Sequence, residues 1–173
     1  MTAQIANGGY KITPKILTED NQLTSEQIKK AMQNSKLNNY YEPLFDDQKN
    51  IKLVQETMFS STNELRGTSY KSRIEDPKYQ FAGKTGTAQV KRISKREREL
   101  DLELEQIPYK DRDHALYVAY GPYINPRYAL SIIVEHGGSG SKTAAPIAKK
   151  LFKLIIDRHD LRNKQSNFER ITI

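Results

Sequence analysis

Two strand-forming runs joined by a short connection constrain the fold of this 173-residue chain more than any other feature. The run His114–Tyr120 alternates at a period of two, and Tyr128–Val134 is rich in apolar and β-branched side chains. Between them, Gly121-Pro122 and Asn125-Pro126 supply turn signals. Parallel strands need a crossover of about a dozen residues or more, so a connection this short joins antiparallel neighbours. The sequence therefore predicts an antiparallel hairpin.

Helical patterns precede the hairpin. Residues Thr2–Asn7 resemble the last turns of a helix that Gly8-Gly9 closes as a C-terminal cap. The segment Thr24–Met32 opens with a capping box and predicts a short helix. Asp46 or Asp47 can cap a further helix, whose apolar residues recur at helical spacing and are predicted to be core. That stripe comprises Ile51, Val54, Met58 and Phe59.

A last helix follows the glycine-rich turn Gly137–Gly140, and Pro146 suits its first turn. One face of this helix is apolar and is predicted to pack on the sheet. It comprises Ile147, Leu151, Leu154 and Ile155. Helices, then strands, then a helix indicate an α+β fold in which helices flank an antiparallel sheet.

The length and composition fit one globular domain with a sizeable core. We expect residues 1–160 to form that domain, with 91–113 as a charged, solvated excursion and 161–173 as a flexible tail. No apolar run approaches the roughly 20 residues that span a bilayer. Cysteine is absent, which excludes disulfides and thiolate chemistry.

The net charge of +7 raises the question of nucleic-acid binding. Much of the basic excess lies near the C-terminus, without the interleaved aromatic side chains that stack on bases. Nucleic acid is therefore not an expected partner. A solvated helix face, or proximity to an anionic polymer or membrane surface, accounts better for the charge. The basic residues concerned are Lys149, Lys150, Lys153, Arg158, Arg162, Lys164 and Arg170.

The segment Ala82–Val90 contains the pattern Lys84-Thr85-Gly86-Thr87, which indicates active-site chemistry. A strand can hold an ammonium, hydroxyls and free backbone N–H groups in one line, and Gly86 lets a ligand approach the main chain. That combination suits a substrate that carries a carboxylate and passes through an oxyanion. So short a pattern is weak evidence alone, and the neighbouring motifs decide its meaning.

The order of these motifs resembles that of the penicillin-binding transpeptidases, the serine enzymes that cross-link peptidoglycan. The matching segments are Ile5–Gly9, Gly67-Thr68, Ala82–Gln89, Tyr120–Pro122, Val134–Gly138 and Ala145–Ala148. The resemblance covers nearly the whole chain and implies a β-lactamase/transpeptidase-like fold, of which this chain is the C-terminal part. The charged excursion is most similar to that of the elongation type, penicillin-binding protein 2, and the division type remains open.

The resemblance implies a role for each residue of the strand. Lys84 would be catalytic, organising the polar network around the nucleophile and assisting proton transfer to the leaving amine. Thr85 and Thr87 would bind the free carboxylate of a terminal D-alanine or a β-lactam, and the Thr87 N–H would be one oxyanion donor. Gly86 would keep the strand open to the acyl chain.

The nucleophile that the family requires is missing from its expected place. It is a serine at the start of a helix, one turn from a lysine, and it precedes the Lys-Thr-Gly strand. Ser139–Lys142 fits this pattern but follows the strand in a glycine-rich turn, which could also act as an anion nest. Ser61–Asn63 fits the family's Ser-x-Asn element but ends a helix before Gly67. We therefore expect no nucleophile in this chain.

Metal and cofactor sites are not expected. The three histidines, His114, His136 and His159, have no spaced cysteine, histidine or carboxylate partners that suggest zinc, and they are interpreted as surface or capping residues.

The resemblance implies a parent D,D-transpeptidase anchored in the bacterial inner membrane, with this domain in the periplasm. Its implied partners are the D-Ala-D-Ala stem peptide, β-lactams, the N-terminal half of the same domain and a membrane glycosyltransferase. The chain alone should be inactive. Two alternatives remain: a non-catalytic module that binds carboxylate-terminated peptides, and a basic interaction domain for nucleic acid or anionic surfaces.

Overall fold

The structure, a computed structural model, describes residues 1–11, 47–92, 100 and 102–171. Its helices and strands, in chain order, are α1 (Thr2–Ala6), α2 (Gln48–Asn63), β1 (Ala82–Ala88), β2 (His114–Gly121), β3 (Tyr128–Val134) and α3 (Ala145–Ile171). Short 3-10 turns occur at Tyr70–Ser72, Leu104–Gln106 and Tyr109–Asp111, and a π-helical turn, Gly140–Ala144, leads into α3. The helix predicted over Thr24–Met32 lies outside the described residues.

The predicted hairpin is confirmed. Strands β2 and β3 pair antiparallel, with Ala115 opposite Val134 and Gly121 opposite Tyr128. Strand β1 pairs antiparallel with the other side of β2, with Lys84 opposite Val118. The described sheet therefore has the order β1-β2-β3, which leaves β1 on one edge.

Helices cover both faces of the sheet, as the α+β prediction requires. On one face α3 packs through Phe152 and Ile156 onto Phe81 and Tyr117, and the rings of Phe81 and Phe152 stack with centroids 4.9 Å apart. On the other face, Met58 of α2 packs with Ala82 and Tyr120, together with apolar residues of α1. The site strand β1 is thus held between two helical layers.

The C-terminal end of α1 and the N-terminal start of α2 agree with the sequence signals. Gly8 and Gly9 follow α1 with positive φ angles of 91° and 89°, the conformation that closes a helix with glycine. The Asp47 carboxylate accepts a hydrogen bond of 2.8 Å from the backbone N–H of Lys49 and caps α2.

The predicted core stripe of α2 is wrong at one position. Ile51 and Met58 are buried, and Phe59 is half-buried against the ring of Tyr123. Val54, however, is 38% exposed. The sheet contacts only the C-terminal part of this face, so apolar spacing alone overestimated the width of the buried stripe.

The predicted buried face of α3 is also wrong. Ile147 is exposed, and Leu154 is 66% exposed. The fully buried residues are instead Ala145, Ala148, Phe152 and Ile156. Ala145 and Ala148 allow α3 to approach the small side chains of β2. This close packing determines which face of the helix is buried, and the larger apolar residues face outward. The α3 backbone is helical to Ile171, and flexibility of residues 161–173 stays a prediction.

A buried cluster of hydroxyl groups joins α2 to the sheet. The Tyr117 hydroxyl lies 2.9 Å from Thr62 Oγ1 and 3.0 Å from Ser69 Oγ, and all three residues are buried. Burial raises the pKa of the Tyr117 hydroxyl, while the hydrogen bonds with Ser69 and Thr62 act in the opposite direction. Gly83 makes room for it, because a Cβ there would lie 2.3 Å from the hydroxyl oxygen.

Replacing Gly83 with alanine should force Tyr117 out of this cluster. We expect the free energy of unfolding, measured by urea denaturation, to fall by about 2–3 kcal/mol, as in other overpacked cores. Gly86→Ala on the same strand is the matched control, because its Cβ would meet only Leu116 Cβ at 3.3 Å. Equal losses for the two variants would contradict the steric explanation.

Candidate active site

Strand β1 presents Lys84 to a cleft along the outer edge of the sheet. The cleft has a volume of about 360 Å³ and is lined by the end of α2 and the turn that follows it. Its lining includes Ser61, Glu64, Thr68 and Lys84. The exposed Lys84 ammonium donates a hydrogen bond of 2.8 Å to the carbonyl oxygen of Thr85. Its remaining hydrogens are directed to no other acceptor among the described hydrogen bonds, which leaves them for a ligand.

A chain of hydroxyl groups crosses from β1 to α2. Thr85 Oγ1 lies 3.3 Å from Thr68 Oγ1, and Thr68 Oγ1 lies 3.1 Å from Ser61 Oγ. The sequence motif indicated only that small residues occur at 67–68. The Thr68 side chain is therefore a site residue that sequence reasoning missed, and only its place before the Lys84 strand signalled it.

The turn that carries Thr68 is held in place by its packing on the end of α2. A Cβ at Gly67 would lie 2.3 Å from the Ser61 carbonyl oxygen, so the turn needs glycine to pack on the end of α2. The Ser69 backbone N–H and side-chain hydroxyl both donate to that same carbonyl at 3.0 Å. Because Ser69 also contacts Tyr117, the buried hydroxyl cluster positions the turn and with it Thr68.

The π-helical turn supports β1 from the other side. A Cβ at Gly140 would lie 2.6 Å from the Gly86 carbonyl oxygen and 2.4 Å from that of Leu116. Glycine at 140 thus permits backbone-to-backbone contact with the Lys-Thr-Gly segment. π-helical turns are rare and occur frequently beside functional sites.

Thr87 is a predicted site residue that does not take part in the hydroxyl chain from β1 to α2. It is exposed, lies opposite Ala115 in the sheet, and makes none of the side-chain hydrogen bonds found among the described residues. Alternate residues of an edge strand direct their backbone N–H groups outward, so β1 offers N–H donors along the cleft.

Neither candidate serine has a lysine ammonium among its described hydrogen-bond partners. Ser139 Oγ accepts from the backbone N–H of Lys142 at 3.4 Å and lies 3.0 Å from Ser141 Oγ, so it caps the π-helical turn. Ser61 lies in the last turn of α2 and contacts Thr68. Both placements agree with the interpretation of these serines as structural.

The histidines form local contacts. His114 Nδ1 accepts from the backbone N–H of His136 at 2.9 Å, and His136 Nδ1 lies 3.0 Å from the carbonyl oxygen of Arg112. His159 packs edge-on against Tyr128. Across the part of the chain that is described, no histidine, cysteine or carboxylate side chains gather as a metal-binding group. Nor does any described helix have the length and hydropathy to cross a membrane.

The sequence profile of the penicillin-binding protein transpeptidase domain matches residues 1–153. The chain belongs to this family. The match includes the cleft, the Lys84 strand and the π-helical turn, so the motif order that suggested the resemblance is confirmed.

Relatives of the transpeptidase domain include peptidoglycan D,D-transpeptidases named MrdA. That of Haemophilus influenzae is 31% identical over 167 aligned residues, covering 89% of this chain and 25% of the relative. That of Salmonella typhimurium is 38% identical over 105 residues, covering 61% of this chain and 16% of the relative. The chain therefore spans a quarter or less of these curated relatives.

Solved structures show the same fold. Penicillin-binding protein 2 of Pseudomonas aeruginosa superimposes with a TM-score of 0.59 at 30% identity, covering 88% of this chain and 28% of the solved one. Penicillin-binding protein 2 of Helicobacter pylori, solved in complex with MreC, gives a TM-score of 0.57 at 30% identity, covering 88% and 23%. The predicted similarity to penicillin-binding protein 2 is confirmed.

Replacing Tyr117 with phenylalanine tests whether the buried hydroxyl cluster holds the Thr68 turn in place. We expect the free energy of unfolding to fall by about 1–2 kcal/mol, because a buried hydrogen-bonded hydroxyl is lost. Amide hydrogen exchange at residues 67–69 should become faster.

Tyr128→Phe is the control for this prediction, because the buried Tyr128 hydroxyl has no hydrogen-bond partner among the residues that the structure describes. That variant should be as stable as the parent chain or slightly more so. Faster exchange at 67–69 in both variants would show that the turn does not depend on Tyr117.

Proposed function

We propose that this chain is the C-terminal part of the transpeptidase domain of a serine D,D-transpeptidase, and that it supplies one wall of the substrate cleft. The observation that carries the proposal is the edge strand β1, which presents Lys84 to the cleft and contacts Thr68 of the cleft wall through Thr85. The family match and the similarity to D,D-transpeptidases named MrdA support it.

In this proposal the strand binds a D-Ala-D-Ala stem peptide while a serine from the N-terminal half forms the acyl ester. Lys84 assists proton transfer to the departing D-alanine, and a neighbouring amine then takes the acyl group. Thr85 and Thr87 bind the carboxylate by hydroxyl hydrogen bonds. The Thr87 N–H stabilises the oxyanion, an interaction worth about 3 kcal/mol in comparable acyl-transfer sites. β-Lactams occupy the same positions.

Exposed apolar surface supports docking of the N-terminal half. Leu53 of α2 is 58% exposed. Strand β3 lies on the second edge of the described sheet and exposes Ile133. A covering half-domain would bury these groups, and each large apolar side chain buried would contribute about 1.5–3 kcal/mol.

The proposed parent protein is membrane-anchored and places this domain in the periplasm, where a membrane glycosyltransferase supplies the glycan strands to be cross-linked. The Helicobacter pylori relative was solved with MreC, and a protein of that kind is a second candidate partner.

Covalent labelling by a fluorescent penicillin distinguishes the isolated chain from the proposed parent enzyme. The isolated 173-residue chain should show no covalent label on a denaturing gel, because neither Ser61 nor Ser139 has a lysine ammonium among its hydrogen-bond partners. A longer protein containing Ser-x-x-Lys and Ser-x-Asn upstream should be labelled. Labelling of the isolated chain would disprove the proposal that the nucleophilic serine lies outside this chain. An unlabelled longer protein would favour the non-catalytic peptide-binding module.

The proposed role of Thr87 predicts a specific loss in that longer protein. Thr87→Val removes a hydroxyl hydrogen bond to the substrate carboxylate, worth about 1.5–3 kcal/mol for a charged acceptor. The second-order rate constant of penicillin acylation should fall by about 10- to 150-fold. Ser131→Ala, at an exposed position of β3 that does not line the cleft, is the control and should leave that rate unchanged. Equal effects at both positions would contradict the proposed role of Thr87 in binding the carboxylate.

A further inference from the structure

A second groove, larger than the cleft, lies between the Tyr70–Ser72 turn and the start of α3. Its volume is about 830 Å³. Five lysines from three different segments line it, and we call it the lysine groove. They are Lys71, Lys142, Lys149, Lys150 and Lys153.

The positive charge of the lysine groove is only partly compensated, because the charges of Lys153 and Asp157 attract each other. None of its five lysines takes part in the ion pairs found among the described residues. The nearby acids of α3 are already engaged. Asp157 and Asp160 each lie 3.0 Å from the Lys78 ammonium, and Asp160 also lies 3.7 Å from Arg127. Five like charges in one groove concentrate a field that attracts anions.

The groove does not suit nucleic acid. Tyr70 is the only aromatic residue in its lining as described, and the Arg73 guanidinium lies 4.0 Å above its ring centroid. That face of the ring is therefore unavailable for stacking on a base. Arg73 itself is paired with Glu75 at 2.8 Å, so it adds no free charge. The remaining attraction is electrostatic and suits a flexible chain of anionic groups.

The lysine groove adjoins the cleft. Gly67 and Thr68 line both spaces, and Thr68 contacts Thr85 on the Lys84 strand. A chain that lies along the lysines therefore reaches the proposed carboxylate-binding strand across one turn. This proximity favours a ligand of the same chemistry as the substrate, a peptide that carries carboxylates.

We propose that the lysine groove binds a peptide strand bearing several carboxylates and guides it to the cleft. The biological identity of that strand, an acidic peptide branch of the polymer to be cross-linked, rests on the proposed function. The binding itself does not, because it depends only on the groove.

The test uses the 173-residue chain and fluorescein-labelled hexaglutamate, with affinity measured by fluorescence anisotropy. The groove variant is Lys71→Gln, Lys150→Gln and Lys153→Gln, and it should bind about tenfold more weakly, as expected for the loss of three exposed charge contacts. Affinity should also fall as ionic strength rises from about 0.01 M to about 0.15 M.

The control variant, Lys49→Gln, Lys52→Gln and Lys110→Gln, removes the same charge from exposed positions outside the groove. Its affinity should change by less than about twofold. Circular dichroism verifies that both variants keep the helical content of the parent. A photoreactive hexaglutamate should cross-link within residues 67–72 and 141–153.

Several results would overturn the proposal. One is undetectable binding at low ionic strength, and another is an equal loss in both variants. A third is stronger competition by a seven-nucleotide thymidine strand, which also carries six charges, than by unlabelled hexaglutamate. Hexaglutamate binding is measured on the 173-residue chain and penicillin labelling on the longer protein, so a failure of the groove and a failure of the proposed function are separate outcomes.

Discussion

The hydrogen bonds of the Tyr117 hydroxyl are the interaction on which the site depends. They join three segments that are distant in sequence: the end of α2 through Thr62, the following turn through Ser69, and the middle of the sheet. Pairing of this buried hydroxyl avoids the cost of about 1–3 kcal/mol that an unpaired one carries. The polar requirement of one core residue therefore determines where the Thr68 turn lies against β1.

The order of strands and helices was accessible from the sequence because it depends on local signals. The short connection after β2 determined the antiparallel pairing, and Asp47 determined the start of α2. Side-chain burial was less predictable. Leu154 is large and apolar but exposed, whereas Ala148 is small and fully buried. Which face of a helix is buried depends on the shape of the surface opposite, and a single-sequence pattern contains no information about that surface.

In the candidate site too, local sequence signals predicted some residues, whereas tertiary packing determined others. Lys84, Thr85 and Gly86 lie on one strand, so their sequence pattern predicted them directly. Thr68 and Gly140 reach the site from separate elements, through a side-chain contact and a backbone contact. Such partners are determined by tertiary packing, and the motif order at Gly67-Thr68 was the only available signal.

The contact between Gly140 and Gly86 joins the π-helical turn to strand β1. The π-helical turn has no side chain in the cleft, yet its backbone lies against the carbonyl of Gly86. Anything that moves this turn by a few tenths of an ångström moves the strand that faces the ligand. In the proposed transpeptidase, a substitution in this turn would therefore change the rate of β-lactam acylation without contacting the β-lactam.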